Sequence, residues 1–246
     1  MTRSIDDHVA LVTGASRGIG RATAVALAEE GCDVALAARS VDQLKETASL
    51  CEERGAETAV LETDVADRES VESTVATTVD ELGGLEILVN NAGRSYHDPI
   101  DRADLDEWES TVDVNLMGTV YTTRHAGPHL REGAENGYRA AVVNIASIAG
   151  IMSFGDSSAY CSSKHGVVGM TGSTFEDLRE SGVKVSVIEP GFVDTSFVPG
   201  DGLDRDKMIQ PEDIAETVVF VATYPGTGCP TEIKVRPQKT PYLDGN

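Results

Sequence analysis

The sequence predicts a doubly wound α/β protein: a seven-stranded, mostly parallel sheet with helices on both faces. Three observations predict it. Apolar runs of four to seven residues alternate with longer helical stretches from end to end. A glycine-rich turn joins the first strand to the first helix. No linker, repeat or composition shift divides the 246 residues, so one domain over 1–246 is expected.

The elements follow in order. Val9-Ala10-Leu11-Val12 reads as a buried strand, Thr13-Gly14-Ala15-Ser16-Arg17-Gly18-Ile19-Gly20 as a turn, and residues 21–30 as an Ala-rich helix stopped by Gly31. Residues 34–38 form a second strand. Glycines let backbone approach a ligand closely, and a helix N-terminus offers free N–H groups and a positive dipole end, so this unit suits a phosphate. The spacing is GxxxGxG rather than GxGxxG, and a tight ligand-free connection is the competing reading. A carboxylate at the end of the second strand would select NAD. Ala38 and Arg39 stand there instead, with Arg17 in the turn. Two guanidiniums and no carboxylate suit a 2′-phosphate, so NADP (NADPH) is preferred over NAD. The alternative for Arg39 is a solvated loop cation.

Residues 59–65 are the third strand. Asp64 accepts from an adenine amine with Val65 flanking the ring, or N-caps the helix beginning near Arg68, or both. Residues 85–89 are the fourth strand, running into Asn90-Asn91-Ala92-Gly93, where small residues let backbone pass a ribose. Asn91 bracing the neighbouring strands is the alternative. Asn115 falls inside a helix, where Asn marks a distortion or a buried hydrogen bond. Trp108, earlier in that region, reads as core. Residues 141–146, the fifth strand, deliver Ser147 at the carboxyl end, the edge at which open α/β sheets bind ligands. Tyr160 and Lys164, four apart, share one helix face. The Lys cation favours phenolate and draws the tyrosine pKa down toward neutrality. Residues 183–188 are the sixth strand, followed by the Pro190-Gly191 turn, and Glu232–Val235 is the seventh.

Composition narrows the function. There are 41 acidic and 20 basic residues, a net charge of −21, with 14 Arg against 6 Lys. Nucleic acid and anionic membrane surfaces are repelled. An acidic excess spread along the chain, poor in Lys, resembles proteins of halophilic microbes. At molar salt the Debye length is about 3 Å and self-repulsion costs little. Cys32, Cys51, Cys161 and Cys229 are scattered, without CxxC, so no disulfide framework is expected. Neither a signal-peptide pattern nor a membrane-length apolar run is present, and the cytoplasm is the expected location. His125 and His129 are four apart, but Pro128 between them and the lack of a third ligand argue against a metal.

The ordered set Thr13–Gly20, Asn90–Gly93, Asn115, Ser147, Tyr160 with Lys164, and Pro190-Gly191 resembles the short-chain dehydrogenase/reductase family over residues 9–195. The resemblance implies a Rossmann fold and an oxidoreductase acting on CH–OH. In it Tyr160 is acid or base, and Lys164 lowers its pKa and binds the nicotinamide ribose. Ser147 holds the substrate oxygen, and Asn115 holds a water of a proton relay. It assigns phosphates to Gly14, Ser16, Arg17, Ile19, Gly20 and Thr195. The rest of the cofactor falls to Arg39, Asp64, Val65, Asn91, Ala92, Gly93, Pro190, Gly191 and Val193. No metal is needed, and a homodimer or homotetramer built through the Tyr160 helix is implied.

The ending Glu232-Ile233-Lys234-Val235-Arg236-Pro237 departs from the V-D-G-G ending of many relatives, which weakens a ketoacyl reductase assignment. It looks like the branch holding serine and 3-hydroxy acid dehydrogenases and the reductase of clavulanate biosynthesis. Residues 192–209 suit a mobile substrate lid, and residues 238–246 a tail that is loose or packs on another subunit. Met152, Phe154 and Phe192 suggest a partly apolar pocket. Arg94 is a candidate for a substrate carboxylate, or is a surface cation paired with Asp98 or Asp101. The leading function is NADP-dependent hydride transfer to or from a small alcohol/carbonyl pair. A sugar or polyol dehydrogenase, a ketoacyl reductase and a catalytically silent NADP-sensing regulator are the alternatives.

Overall fold

In the computed structural model, which describes residues 4–198 and 202–242, seven strands form one sheet in the order β3-β2-β1-β4-β5-β6-β7. They are β1 (Val9–Thr13), β2 (Asp33–Ala38), β3 (Thr58–Glu62), β4 (Ile87–Asn90), β5 (Ala141–Ile145), β6 (Lys184–Pro190) and β7 (Glu232–Val235). All six pairings are parallel, which sharpens the expectation of a mostly parallel sheet. Parallel strands need crossover helices, and those helices cover both faces. That is why the central strands read as unbroken apolar runs rather than alternating ones.

The helices are α1 (Gly18–Glu29), α2 (Val41–Glu52), α3 (Arg68–Leu82), α4 (Leu105–Val112), α5 (Gly118–Glu135), α6 (Ser158–Leu178) and α7 (Pro211–Ala222). On one face Leu27 of α1, Leu44 of α2 and Val218 of α7 pack against Val12, Leu36, Val89 and Val143. On the other, Val75 of α3, Leu130 of α5 and Leu178 of α6 pack against Leu11, Ala35, Leu88 and Val142. Successive strand residues thus feed opposite cores.

Helix α1 begins at Gly18, inside the glycine turn, three residues before its expected start at Arg21, and Gly31 follows it at φ +88°. The N-cap of α3 is Asp67, whose carboxylate accepts from the Glu69 and Ser70 amides. That corrects the reading of Asp64 as the cap: Asp64 closes a local turn by accepting from Ala66 N at 3.0 Å. Helices α4 and α5 are joined by a π-helical turn over Asp113–Met117, centred on Asn115, so the expected distortion is present. Trp108 is half-buried and donates from Nε1 to Ser158 Oγ at 3.1 Å, pinning α4 to α6.

The expected lid holds a short turn at Arg205–Lys207 and is tied back by an Asp194–Arg205 ion pair and a Val193–Ile209 bridge. Its residues 199–201 lie outside the described residues. Pro241 and Tyr242, the part of the tail with described contacts, touch their own chain. Tyr242 stacks edge-on against Phe192 at 5.6 Å, and Asp204 N donates to Pro241 O at 2.7 Å. Residues 243–246 lie outside the described residues.

Candidate active site

The carboxyl ends of β1 to β6 open onto one cleft of about 760 Å³. It lies where the strand order reverses beside β1, the position at which open α/β sheets bind ligands. Among the expected site residues, all line it except Gly20 and Asn115. Those two stand behind its wall.

At the dinucleotide end, Gly14 has φ +67° and Gly18 φ +55°, conformations that favour glycine. A Cβ on Gly14 would come within 2.8 Å of Asn91 Nδ2. A Cβ on Gly20 would come within 2.2 Å of the Gly14 carbonyl oxygen, so Gly20 permits α1 to press on the turn. Asn91 does brace the strands: its Nδ2 donates to Thr13 O at 2.9 Å and Gly14 O at 3.2 Å, while its side of the loop also faces the cleft. Arg17 and Arg39 are exposed at the rim, and among the described residues no carboxylate pairs with either. Arg21, close by, is instead taken by Glu46, Thr47 and the Ser16 carbonyl. Ser40 and Gln43 line the rim beside Arg39, and neither stood out in the sequence.

The cleft fits a nicotinamide dinucleotide. Glycine backbone without Cβ atoms stands at the α1 N-terminus beside Arg17, Arg39 follows the end of β2, and the cleft continues to Ser147, Tyr160 and Lys164.

At that far end β5 delivers Ser147, which caps the turn Ile148–Gly150 by accepting from Ala149 N at 3.1 Å. The Ser147 hydroxyl stands beside the Tyr160 phenol and favours its ionised form. Burial pushes the phenol's pKa up, and the Ser147 hydroxyl opposes this. The downward pull expected from Lys164 is not among the influences on the phenol; the opposing one is Ser147. Lys164 Nζ lies 5.8 Å from the Tyr160 ring centroid and donates to Ile145 O at 2.9 Å. Burial pushes its own pKa down to about 8.

Asn115 is wholly enclosed. Its Oδ1 accepts from Arg94 N at 2.8 Å, and its Nδ2 donates to Arg94 O and Ser163 Oγ, both at 2.9 Å. It ties the loop after β4 to the helix residue next to Lys164. Arg94 lines the cleft, but its guanidinium is bound to Glu107 and Ser110 of α4. Asp98, an expected partner, takes Arg102 instead at 3.3 Å. Phe154 and Phe192 line the cleft; Met152 does not. Sequence reading missed His97, Ser157 and Phe197, which complete this end. Their signal was weak, because all three sit in irregular segments without periodicity. Among the described residues no group of three His, Cys, Asp or Glu is arranged to hold a metal, and no helix is long and apolar enough to cross a membrane.

Comparison with known proteins places this geometry in a family. Residues 8–205 match the family described as short chain dehydrogenase. The chain is 37% identical over 233 residues to an uncharacterised oxidoreductase of Staphylococcus aureus (strain USA300), covering 95% of this chain and 98% of that protein. Its structure is similar to that of carveol dehydrogenase from Mycobacterium avium in complex with NAD (TM-score 0.87, 25% identity, 96% and 98% of the two chains). It is also similar to an alcohol dehydrogenase from the archaeon Thermococcus sibiricus complexed with 5-hydroxy-NADP (TM-score 0.86, 29% identity, 96% and 99%). The chain belongs to the short chain dehydrogenase family, whose members are oxidoreductases using a nicotinamide cofactor.

Proposed function

We propose that this protein is an NADP-dependent oxidoreductase of a small alcohol/carbonyl pair, with Tyr160 as its acid and base. One observation carries the reading: Ser147, Tyr160 and Lys164 meet in a cleft that also presents Arg17 and Arg39, with which no carboxylate of the described residues pairs. A nicotinamide dinucleotide, when bound, supplies or accepts the hydride. The chain's residues manage the proton. Ser147 and Tyr160 offer two O–H groups to one substrate oxygen and stabilise the negative charge that grows there. In reduction Tyr160 gives its proton to that oxygen and is left as phenolate beside Lys164, whose ammonium offsets the charge. In oxidation the phenolate takes the alcohol proton. Asn115 keeps Lys164 in place by holding Ser163 and the Arg94 backbone. A neutral carbonyl is favoured over a keto acid, because Arg94 is already ion-paired with Glu107.

The experiment follows NADPH absorbance over a panel of carbonyl compounds with wild type and Tyr160→Phe. The variant is expected to lose about 10²- to 10⁴-fold in kcat. Equal rates for the two proteins would remove Tyr160 from the chemistry. Arg39→Ala is expected to lower the NADPH-over-NADH ratio of kcat/KM by on the order of tenfold; an unchanged ratio would count against the 2′-phosphate site.

We also propose that the acidic surface fits the protein to molar salt, as in a halophilic host. The four free thiols fit a reducing cytoplasm. The proposed assembly is a homodimer or homotetramer through α6, whose Gly169 and Gly172 leave open space for a neighbour; light scattering on the purified protein tests it.

A further inference from the structure

His97 belongs to none of the strand ends, the glycine turn or the Tyr160 helix, yet it lines the same cleft. Its ring lies 6.3 Å from the Tyr160 ring, centroid to centroid. Its Nδ1 stands 2.9 Å from Ser157 Oγ. The Ser157 hydroxyl donates to the Gly155 carbonyl at 3.0 Å, and a carbonyl only accepts. With its proton spent on Gly155, Ser157 Oγ is an acceptor toward His97. The neutral imidazole therefore carries its proton on Nδ1 and leaves Nε2 as an acceptor. Among the described residues no donor meets that nitrogen. His97 is exposed, and the apolar groups beside it in the cleft are Phe154, Phe192 and Phe197, the last with its ring 5.8 Å from that of Tyr160.

We infer that His97 Nε2 accepts a hydrogen bond from a hydroxyl on the carbon next to the reacting carbonyl, so that the site takes α-hydroxy ketones with an apolar body and, in reverse, vicinal diols. The inference rests on the carbonyl chemistry proposed above. Ser147 and Tyr160 hold the first oxygen, and a hydroxyl one carbon away stays within reach of the neighbouring imidazole. A simple ketone leaves Nε2 to water and forgoes that hydrogen bond. A keto acid sets an acceptor against an acceptor. In reduction the carbonyl carbon gains hydride and its oxygen gains a proton, while the α-hydroxyl is left unchanged.

Wild type, His97→Leu and His97→Gln are assayed with NADPH on 2-hydroxyacetophenone, acetophenone and benzoylformate. Dissociation constants for the same three are measured by calorimetry on protein loaded with whichever of NADP or NAD it binds. Wild type is expected to favour the hydroxy ketone over acetophenone by on the order of tenfold in kcat/KM and in Kd, the value of one hydrogen bond. In His97→Leu that ratio falls to near one. His97→Gln, whose amide oxygen accepts in place of Nε2, restores part of it. A ratio unchanged in His97→Leu, or a wild-type preference for benzoylformate, overturns the inference. If wild type reduces none of the three, the carbonyl chemistry fails, and the Kd ratio still decides the role of His97.

Discussion

Glu189 shows how a single residue is set by surroundings that no local pattern announces. It lies on β6, is 0% exposed, and among the described residues neither carboxylate oxygen has a hydrogen-bond partner. Burial, followed by repulsion from Glu232, pushes its pKa from 4.5 up to about 7, against the pull of Lys234 Nζ at 3.9 Å and of His165 on α6. The sign follows from linkage. Between those two values the folded state keeps a proton that the unfolded state has released, so stability falls as pH rises through that window. Above it the fold carries a buried charge. Glu189→Gln removes that charge. We expect its Tm to exceed that of wild type at pH 8, by an amount equivalent to about 1–3 kcal/mol, and to match it near pH 4, below both values, where the carboxyl is neutral in the folded and unfolded chain alike. Equal differences at the two pH values would mean that Glu189 does not titrate in this window. At the same scale, Tyr160 and Lys164 were legible as a pair because helical spacing puts them on one face. The direction of the phenol's shift was not legible, because it depends on how deeply the ring is buried.

Among elements, the turn between β1 and α1 is held together by what its glycines lack. Gly20 has no special backbone angle, so its spacing alone does not explain it. Its missing Cβ would meet both the Gly14 carbonyl and Asn91 Nδ2, the latter at 2.5 Å. Gly20→Ala is expected to push α1 off the turn, costing about 1–3 kcal/mol of stability and weakening cofactor binding by at least tenfold. Gly83→Ala is the control. Gly83 ends α3 at φ +86° with nothing within 4 Å of a Cβ, so the change costs backbone strain of about 1 kcal/mol and leaves cofactor affinity alone. Calorimetric Kd values for the two variants separate the cases, and similar affinity losses would refute the packing role of Gly20. The π-helical turn at Asn115 was legible only as an oddity. Its purpose came with the structure, in the three hydrogen bonds that Asn115 makes across two elements.

Over the whole molecule the net charge of −21 acts through mutual repulsion that salt screens. If the surface is fitted to a salty interior, Tm rises steadily from low to molar KCl; a flat or falling curve removes that reading. The comparison of sequence and structure has a physical pattern. Strands of a parallel sheet covered on both faces are continuous apolar runs, and the turns at their carboxyl ends are glycines and small polar residues. These are local signals, so the sequence by itself determined the α/β architecture, the strand positions, the glycine turn before α1 and the placing of Ser147, Tyr160 and Lys164 beside one cleft. Tertiary structure alone decided the rest. Arg94 turns to Glu107 rather than to Asp98 or Asp101, and Tyr242 packs against Phe192. His97, sixty-three residues before Tyr160 in the chain, joins the same cleft. Each of these depends on contacts between segments far apart in sequence, for which neither propensity nor spacing carries a signal.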